Sequence, residues 1–295
     1  MGKIADTLKT GRILLSDGGW GTFLLDMGLG LGECPDLWSV TRFSEISGIA
    51  KSYIQAGSDM VQTNSFGANY YKLAHFGLQN RVAEINEKAA QASRLAAEDR
   101  FVIASIGPTG KMLITEEVTE EQLTDAFRVQ AMALERGGAD ALCIETMSDA
   151  DEACCAIRAA KESTKLEIIA TFTFSKTVQG SYRTMMGLSP EDAIEAALSA
   201  GADIVGANCG SGIEGMIEIT REMKSARPDA LILVHANAGL PVHRDGKDIY
   251  PETPKVMAAQ LENLIIAGCN IAGGCCGTTP AHIAAFRQAL DRIRR

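Results

Sequence analysis

Three cysteines have the residue type and spacing expected of metal ligands. Cys275 and Cys276 are adjacent in the sequence Gly-Gly-Cys-Cys-Gly-Thr, directly after a short apolar run. Neighbouring side chains on a regular strand point to opposite faces, so the flanking glycines must supply the irregular backbone that turns both thiols toward one point. Cys209 also ends an apolar run, and Gly-Ser-Gly follows it. The three thiols could therefore meet where their strands end.

Three thiolates with an open fourth position are the pattern of a catalytic zinc site, whereas structural zinc normally has four protein ligands. The alternative is that these cysteines are small buried hydrophobic residues, as free cysteines usually are. Their wide separation in the sequence and the lack of a Cys-X-X-Cys pair leave both interpretations open at this stage. Four further cysteines are interpreted as packing residues: Cys143, Cys154, Cys155 and Cys269.

The composition excludes several classes of protein. A formal net charge of −9 argues against nucleic acid or an anionic membrane surface as the main partner. The eight cysteines lack paired spacing, and the sequence contains neither a secretory leader nor an apolar run long enough to span a bilayer. We therefore expect a cytoplasmic, reduced protein whose cysteines are free thiols or metal ligands.

Predicted strands alternate with predicted helices along the whole chain. The strands are mostly continuous apolar runs, which is typical of parallel strands that are buried on both faces. They are placed at residues 13–17, 59–64, 101–106, 141–146, 168–174, 203–209 and 231–237, with an eighth directly before the cysteine pair. This pattern predicts a single α/β domain over residues 1–295, folded as a (β/α)8 barrel.

Local signals mark the ends of several predicted helices. Residues 119–122 form a capping-box pattern at the start of one helix, and Ser189 with Pro190 opens another. Residues 28–35 and 109–118 are predicted to be loops.

The barrel prediction strengthens the case for a metal site. Active sites in this fold lie at the C-terminal ends of the strands, and Cys209, Cys275 and Cys276 all fall at such ends, on the sixth and eighth predicted strands. Core packing gives a cysteine no reason to choose that end. Other polar residues collect at the same ends of the strands: Asp17, Asn64, Glu145, Asn208 and Asn237.

Each of these polar residues has a simpler explanation. Asp17 and Asn64 could stabilise turns. Glu145 needs a partner at the end of a buried strand, which a cationic group on a ligand or Arg183 could supply. His235, within the seventh predicted strand, is interpreted as a hydrogen-bonded core histidine.

A zinc site with three thiolate ligands would have a net charge of about −1, which makes the metal a mild Lewis acid and a poor generator of hydroxide. Such a site suits a soft ligand. A substrate thiol in the fourth position would lose its proton at neutral pH and keep much of its nucleophilicity. The cysteines therefore indicate thiol alkylation.

Four motifs in the sequence resemble the homocysteine S-methyltransferase family. They are Gly-Gly-Cys-Cys-Gly-Thr at 273–278, Asn-Cys at 208–209, Asp-Gly-Gly at 17–19 and Ile-Gly-Pro-Thr at 106–109. The resemblance covers nearly the whole chain. It implies a (β/α)8 barrel that holds zinc through Cys209, Cys275 and Cys276 and transfers a methyl group to homocysteine, forming methionine.

The same resemblance assigns six residues to substrate binding. It implies that Asp17 and Glu145 bind the ammonium group of the substrate and that Gly18 lies near its carboxylate. The other three are Thr63, Asn64 and Asn208.

The methyl donor differs between members of the family, which use betaine, S-methylmethionine or methylcobalamin charged from methyltetrahydrofolate. Residues 63–68, 75–78 and 237–241 most resemble the N-terminal homocysteine module of cobalamin-dependent methionine synthase. The sequence ends at Arg295 without a folate or cobalamin domain, and without the C-terminal extension of betaine-dependent members. We therefore expect methylcobalamin to be delivered by a separate corrinoid protein.

Three alternatives remain. The acceptor could be another small thiol, or the donor a small molecule such as betaine or S-methylmethionine. A phosphate-binding barrel could use Gly273, Gly274 and the helix that begins near Thr279. The protein could also bind zinc or a thiol without catalysis. Zinc content separates the phosphate interpretation from the others, because two thiolates would repel a phosphate.

Overall fold

The computed structural model describes residues 2–244 and 247–293. The strands within these ranges are β1 (Leu14–Leu15), β2 (Met60–Val61), β3 (Phe101–Ile106), β4 (Ala141–Met147), β5 (Glu167–Phe172), β6 (Ser175–Lys176), β7 (Tyr182–Arg183), β8 (Ile204–Asn208), β9 (Ile232–Ala236), β10 (Val242–Arg244), β11 (Lys247–Ile249) and β12 (Ile271–Gly274). Eight of them form one parallel sheet in the order β1-β12-β9-β8-β5-β4-β3-β2. The other four form two antiparallel hairpins, β6–β7 and β10–β11.

The sheet closes on itself between β1 and β2. The backbone N–H of Asp59 donates to the carbonyl of Leu15 at 2.7 Å, and the Asp59 side chain accepts from the N–H of Leu15 at 2.9 Å. Each predicted strand corresponds to one strand of this barrel. The prediction of a (β/α)8 barrel is therefore confirmed.

Helices surround the barrel and occupy several of its loops. Those in the described ranges are α1 (Lys3–Lys9), α2 (Trp20–Asp26), α3 (Trp38–Thr41), α4 (Phe43–Gln55), α5 (Tyr70–Ala74), α6 (Val82–Ala97), α7 (Glu120–Arg136), α8 (Ala150–Ser163), α9 (Pro190–Ala200), α10 (Ile213–Ala226), α11 (Pro254–Ala259), α12 (Leu261–Ile266) and α13 (Pro280–Ile293). Short 3-10 helices cover Gln79–Arg81 and Leu113–Thr115. None of the α-helices in these ranges is long and apolar enough to cross a membrane.

The helix signals in the sequence correspond to observed caps. The predicted capping box between Thr119 and Gln122 is present at the start of α7. Ser189 caps α9, where Pro190 is the first helical residue and Asp192 completes a second capping box. The loop predicted at 109–118 contains the 3-10 helix Leu113–Thr115, and residues 28–35 are irregular as predicted.

The interior of the barrel changes from apolar to polar along each strand. Near the N-terminal ends, Ile103, Ile169 and Leu233 belong to a buried apolar cluster. Side chains two positions further along a strand share its face, and here these are Ser105, Thr171 and His235, all buried. A polar layer therefore lies on top of the apolar one, toward the end where the site is expected.

His235 is buried, as expected, and burial lowers its pKa to about 4. Its Nε2 atom, however, has no hydrogen-bond partner within the described part of the chain. The expectation of a fully hydrogen-bonded core histidine is therefore only partly met.

Helix α1 seals the opposite end of the barrel. Its residues Ile4 and Leu8 pack into the apolar interior cluster. Glu167, at the start of β5, accepts hydrogen bonds from the N–H groups of Ile4 and Ala5, both at 2.8 Å. The carboxylate thus satisfies two of the unpaired N–H groups at the helix start and places a negative charge at the positive end of its dipole.

Replacing Glu167 by glutamine should destabilise the protein by about 2 kcal/mol, because the amide removes the charge and turns a donor toward a backbone N–H. The urea midpoint should fall with an unchanged slope. Glu262 lies exposed in the first turn of α12, so Glu262→Gln is a matched control with the same dipole interaction but no burial. Equal stability of both variants would contradict the anchoring role of Glu167.

Candidate active site

The three predicted cysteines meet at the C-terminal end of the barrel. The Cys209 and Cys276 sulfurs are 3.9 Å apart, the Cys275 and Cys276 sulfurs are 4.0 Å apart, and all three lie within 4.8 Å of one another. A tetrahedral zinc with Zn–S bonds of 2.3 Å separates its sulfur ligands by about 3.8 Å. The cluster therefore has the dimensions of a zinc site with three thiolates, with room for a fourth ligand.

Strand β9 lies between the two strands that carry the cysteines and fixes both. The N–H of Cys209 donates to the carbonyl of His235 at 3.1 Å, and the N–H of Cys275 donates to the carbonyl of Ala236 at 2.8 Å. The side chain of Asn237, directly after β9, accepts from the N–H of Cys276 at 3.1 Å. The cysteines that follow β8 and β12, two strands that do not pair with each other, are thus held at fixed positions by their shared neighbour β9.

The backbone turns as expected at only one of the three flanking glycines. Gly277 has φ +80°, but Gly273 and Gly274 remain within β12. The reason for glycine at 274 is steric, since a Cβ there would lie 2.2 Å from the Thr278 hydroxyl oxygen. Cys209 itself adopts φ 58°, a left-handed conformation that is uncommon for residues other than glycine.

The three thiols are electrostatically coupled. Hydrogen bonds from Cys275 and Cys276 lower the pKa of the Cys209 thiol. The contact with Cys209 in turn raises the pKa values of Cys275 and Cys276. Three thiolates at this spacing would repel one another. A divalent metal would compensate most of their charge, so the donor set fits a cation that prefers sulfur.

The thiols line a cavity of about 440 Å³ that opens at the barrel mouth. Of the six residues predicted to bind substrate, four line this cavity: Gly18, Thr63, Asn64 and Glu145. Asp17 and Asn208 are fully buried and do not belong to its lining. The structure thus brings together the cysteines and most of the predicted substrate residues around one space.

Glu145 presents a buried carboxylate to this cavity. Its Oε1 accepts from Gln62 Nε2 at 2.8 Å and from the Ser105 hydroxyl. It forms no ion pair with any residue in 2–244 or 247–293, and Arg183 instead donates to the carbonyl of Tyr182. Burial raises the pKa of Glu145 to about 7, and the nearby Asp17 carboxylate adds to the effect. In its ionised form this carboxylate therefore has hydrogen-bond donors but no counter-charge among these residues.

Asp17 connects the cavity wall to the barrel. Its carboxylate accepts from the Trp20 indole N–H at 2.8 Å and from the Gln62 backbone N–H at 2.7 Å. Burial raises its pKa to about 6. Trp20 lines the cavity, so Asp17 positions this part of the cavity wall. Its bond to Gln62 also ties the end of β1 to the end of β2. Direct contact of Asp17 with a substrate stays a prediction.

Asn208 holds a strained turn that presents Glu145. Thr146 has φ 61°, an outlier for a β-branched residue. The Asn208 carbonyl oxygen accepts from the Thr146 N–H at 2.8 Å, and its amide donates to the Thr146 hydroxyl at 2.7 Å and to Glu145 Oε2 at 3.4 Å. Asn208, which was predicted to contact the substrate, therefore holds Glu145 and Thr146 in position.

Thr63 and Asn64 are also committed to protein contacts. The Thr63 hydroxyl accepts from the Ser105 N–H at 3.0 Å, and the Asn64 amide donates to the carbonyl of Pro35 at 2.8 Å. These bonds fix the loop after β2 against β3 and against the loop after β1, where both residues face the cavity.

The comparison with known families decides the classification. A model of the homocysteine S-methyltransferase family matches residues 14–290, which includes all three cysteines and the cavity residues described above. The chain belongs to the homocysteine S-methyltransferase family.

Known members support this classification at the level of sequence and fold. The methionine synthases of Mycobacterium tuberculosis and Mycobacterium leprae are both 30% identical to this chain, over 96% and 95% of its length. The chain spans about a quarter of the length of these relatives, 25% and 24%. The homocysteine methyltransferase MmuM from Escherichia coli shares the fold, with a TM-score of 0.77 at 23% identity for its metallated form, over 96% of this chain and 98% of MmuM.

Several residues of this candidate site were given no role from the sequence. Gln62 and Ser105 hold Glu145, and the Tyr250 side chain lies close enough to Cys276 to act on the pKa of that thiol. Gln62 and Ser105 follow inward-facing apolar residues at a spacing of two, so the alternation could have identified them. Tyr250 follows the β10–β11 hairpin, whose position no local pattern indicates.

Replacing Asn208 by alanine should weaken the binding of a cationic ligand to Glu145 by about 10-fold or more, because the Thr146 turn loses its anchors and Glu145 loses a donor. Metal binding by the thiol cluster should not change, since the amide contacts β4 and β5 rather than a thiol. Calorimetric titration and metal analysis would check both expectations. Adding Thr146→Gly should restore part of the affinity, because glycine tolerates the left-handed turn. Unchanged affinity in the single variant would contradict this role.

Proposed function

We propose that this protein transfers a methyl group to the thiol of homocysteine, forming methionine, and that Cys209, Cys275 and Cys276 hold zinc for this purpose. One observation carries the proposal: three clustered thiols and a buried carboxylate, which forms no ion pair within the described part of the chain, line the same cavity. The thiols suit a metal that binds a substrate sulfur, and Glu145 suits the ammonium group of an amino acid.

The donor set supports zinc rather than a hard cation, because thiolates select soft or borderline metals. Zinc, when bound, would lower the pKa of the substrate thiol so that the thiolate exists at neutral pH. MmuM, which is 25% identical to this chain in one of its solved forms, has also been solved in a metallated form.

The protein side chains would orient the substrate rather than take part in bond formation. Gln62 and Ser105 occupy Oε1 of Glu145, whereas Oε2 accepts only the long hydrogen bond from Asn208 at 3.4 Å and could also accept from the ammonium group. Gly18 lines the cavity and allows close approach of the substrate carboxylate to the backbone. Methyl transfer forms a sulfur–carbon bond while the bond between the methyl group and its carrier breaks and leaves its electron pair on the carrier. This step needs no general base, so the gain in rate would come from orientation and thiol ionisation.

We propose further that a separate corrinoid protein delivers the methyl group as methylcobalamin. The mouth of the barrel carries exposed apolar side chains on the loops after β1, β2, β3, β5 and β9. They are Leu31, Phe66, Phe76, Ile114, Val178, Met185 and Leu240. Exposed apolar side chains of this extent favour a protein partner over the mouth. The methyl carbon would approach the sulfur in line from that side while its bond to the carrier breaks.

A donor comparison tests this part of the proposal. The zinc-loaded protein would be given L-homocysteine with a methylated corrinoid protein, free methylcobalamin, betaine or S-methylmethionine, and methionine would be measured. We expect the carrier-bound donor to be fastest. Equal rates with betaine or S-methylmethionine alone would contradict the corrinoid donor, while leaving homocysteine as the acceptor.

The phosphate-binding alternative gains no support from the helix after β12. The N–H of Thr279, at the start of α13, donates to His282 Nδ1 at 3.1 Å. This N–H is therefore already used within the protein. A phosphate would also lie next to the thiol cluster, whose negative charge opposes its binding.

A further inference from the structure

We infer that Lys72 binds the carboxylate of the substrate and thereby selects amino-acid thiols over simple thiols. The inference rests on the proposed function and names a determinant of its substrate class. It adds a charged side chain to the backbone contact expected at Gly18.

Lys72 is the one basic side chain in the lining of the cavity formed by the described residues. Its ammonium group forms no hydrogen bond and no ion pair within 4.0 Å inside residues 2–244 and 247–293. Two carboxylates line the same cavity. Glu145 has no cationic partner among the residues that the structure describes, and Asp36 accepts from the backbone N–H of Gly67 at 2.9 Å. The cavity thus contains a cation and an anion that are not paired with each other.

The surroundings of Lys72 leave its ammonium group available. It extends from α5 toward Gly110, where an added Cβ would lie 3.0 Å from Nζ, and Gly110 has φ +77°. The charge of Lys72 acts on the nearby carboxyl of Glu152. Burial raises the pKa of Glu152, and the Lys72 charge partly lowers it. Glu152 Oε1 is already occupied by the Thr109 N–H at 2.7 Å and the Thr109 hydroxyl.

An α-amino acid complements this arrangement of charges. Its ammonium group would pair with Glu145 and its carboxylate with Lys72, both of which line the same cavity. Charge-assisted hydrogen bonds are stronger than neutral ones, and a site built to make them rejects an analogue that leaves them unmade. A thiol without a carboxylate should therefore bind more weakly, even though its sulfur and its ammonium group are the same.

The test compares L-homocysteine with 3-aminopropane-1-thiol, which has the same chain without the carboxylate, in calorimetric titrations of the zinc-loaded protein. The unmodified protein should prefer homocysteine. In Lys72→Met, the dissociation constant for homocysteine should rise by about 10- to 100-fold, while that for the aminothiol should not change. Lys111, which is paired with Glu117 at 3.1 Å and lies outside the cavity lining, provides the matched control Lys111→Met, which should leave both constants unchanged.

The inference would be overturned, while the proposed function stands, by a full preference for homocysteine in Lys72→Met or by equal weakening of both thiols in that variant. The variant Glu152→Gln distinguishes direct binding of the substrate by Lys72 from an indirect effect of Lys72 through Glu152 on the loop that contains Thr109. If it weakens homocysteine binding as much as Lys72→Met does, Lys72 acts through Glu152 and the inference fails. Binding of neither thiol to the unmodified zinc-loaded protein would instead contradict the proposed function itself.

Discussion

Replacing Cys276 by alanine should remove zinc and methyl transfer together. Even groups that only support a metal ligand change metal affinity or activity by 10–100-fold, so loss of a ligand should lower activity by more than about 100-fold. The three sulfurs lie within 4.8 Å of one another, and therefore Cys209→Ala and Cys275→Ala should behave in the same way. Metal analysis under reducing conditions and a methionine assay would measure both effects.

Cys154 provides the control for this experiment. It is half-buried on α8, and its sulfur donates to the carbonyl of Ala196 at 3.6 Å, a bond that serine can replace. Cys154→Ser should keep one zinc per chain and nearly full activity. Zinc and activity retained in Cys276→Ala would refute the assignment of the ligands. Thermal unfolding of each variant would show whether the fold is kept.

Replacing Glu145 by glutamine should weaken homocysteine binding by about 30-fold or more, because truncating one partner of a buried charge pair costs 2–5 kcal/mol. Zinc content should remain one per chain, since Glu145 is not among the three clustered thiols. Calorimetric titration with homocysteine would measure the loss. Unchanged affinity would mean that the ammonium group binds elsewhere.

The same substitution should stabilise the metal-free protein at alkaline pH. The pKa of Glu145 is raised from 4.5 to about 7, so the folded protein holds a proton that the unfolded chain has released. Stability from this group is therefore present below pH 4.5 and is lost as the pH rises to about 7, on the order of 3 kcal/mol in all. Glu145→Gln should be more stable than the unmodified protein at pH 8, and the difference should vanish near pH 4. A constant difference across this range would contradict the raised pKa.

Glu145→Gln is thus expected to weaken ligand binding and to stabilise the metal-free protein. The group that binds the ligand therefore lowers the stability of the fold. A carboxylate buried beside Asp17 and the thiol cluster disfavours the folded state until a cation binds. The left-handed backbone at Thr146 and Cys209 adds strain to the same strand ends. Such strain persists only where the surrounding structure enforces it, as Asn208 does for Thr146.

The parts of the structure that local sequence determines were predictable. The strands β8 and β9 were placed at 203–209 and 231–237 and are observed at Ile204–Asn208 and Ile232–Ala236. Their apolar runs are bounded by glycine and polar residues, which are local signals. Since parallel strands of a barrel end at one face, the order of elements also predicted that the cysteines after β8 and β12 would lie near each other.

The remaining features depend on contacts between residues far apart in the sequence. Glu167 anchors a helix that begins more than 160 residues earlier, and no local pattern marks this pairing. The left-handed conformation of Thr146 depends on Asn208, which lies on another strand. Lys72 was not singled out because its position beside Gly110 arises only when the loops after β2 and β3 fold together.

The central claim is that three cysteines hold one zinc that accepts the homocysteine thiol, and one measurement tests it most directly. The purified, reduced protein would be analysed for zinc and titrated calorimetrically with L-homocysteine in buffers of different ionisation enthalpy. We predict one zinc per chain and release of one proton per homocysteine bound, with both lost in Cys275→Ser. A protein that takes up no zinc under reducing conditions, or binds homocysteine without releasing a proton, would contradict this account.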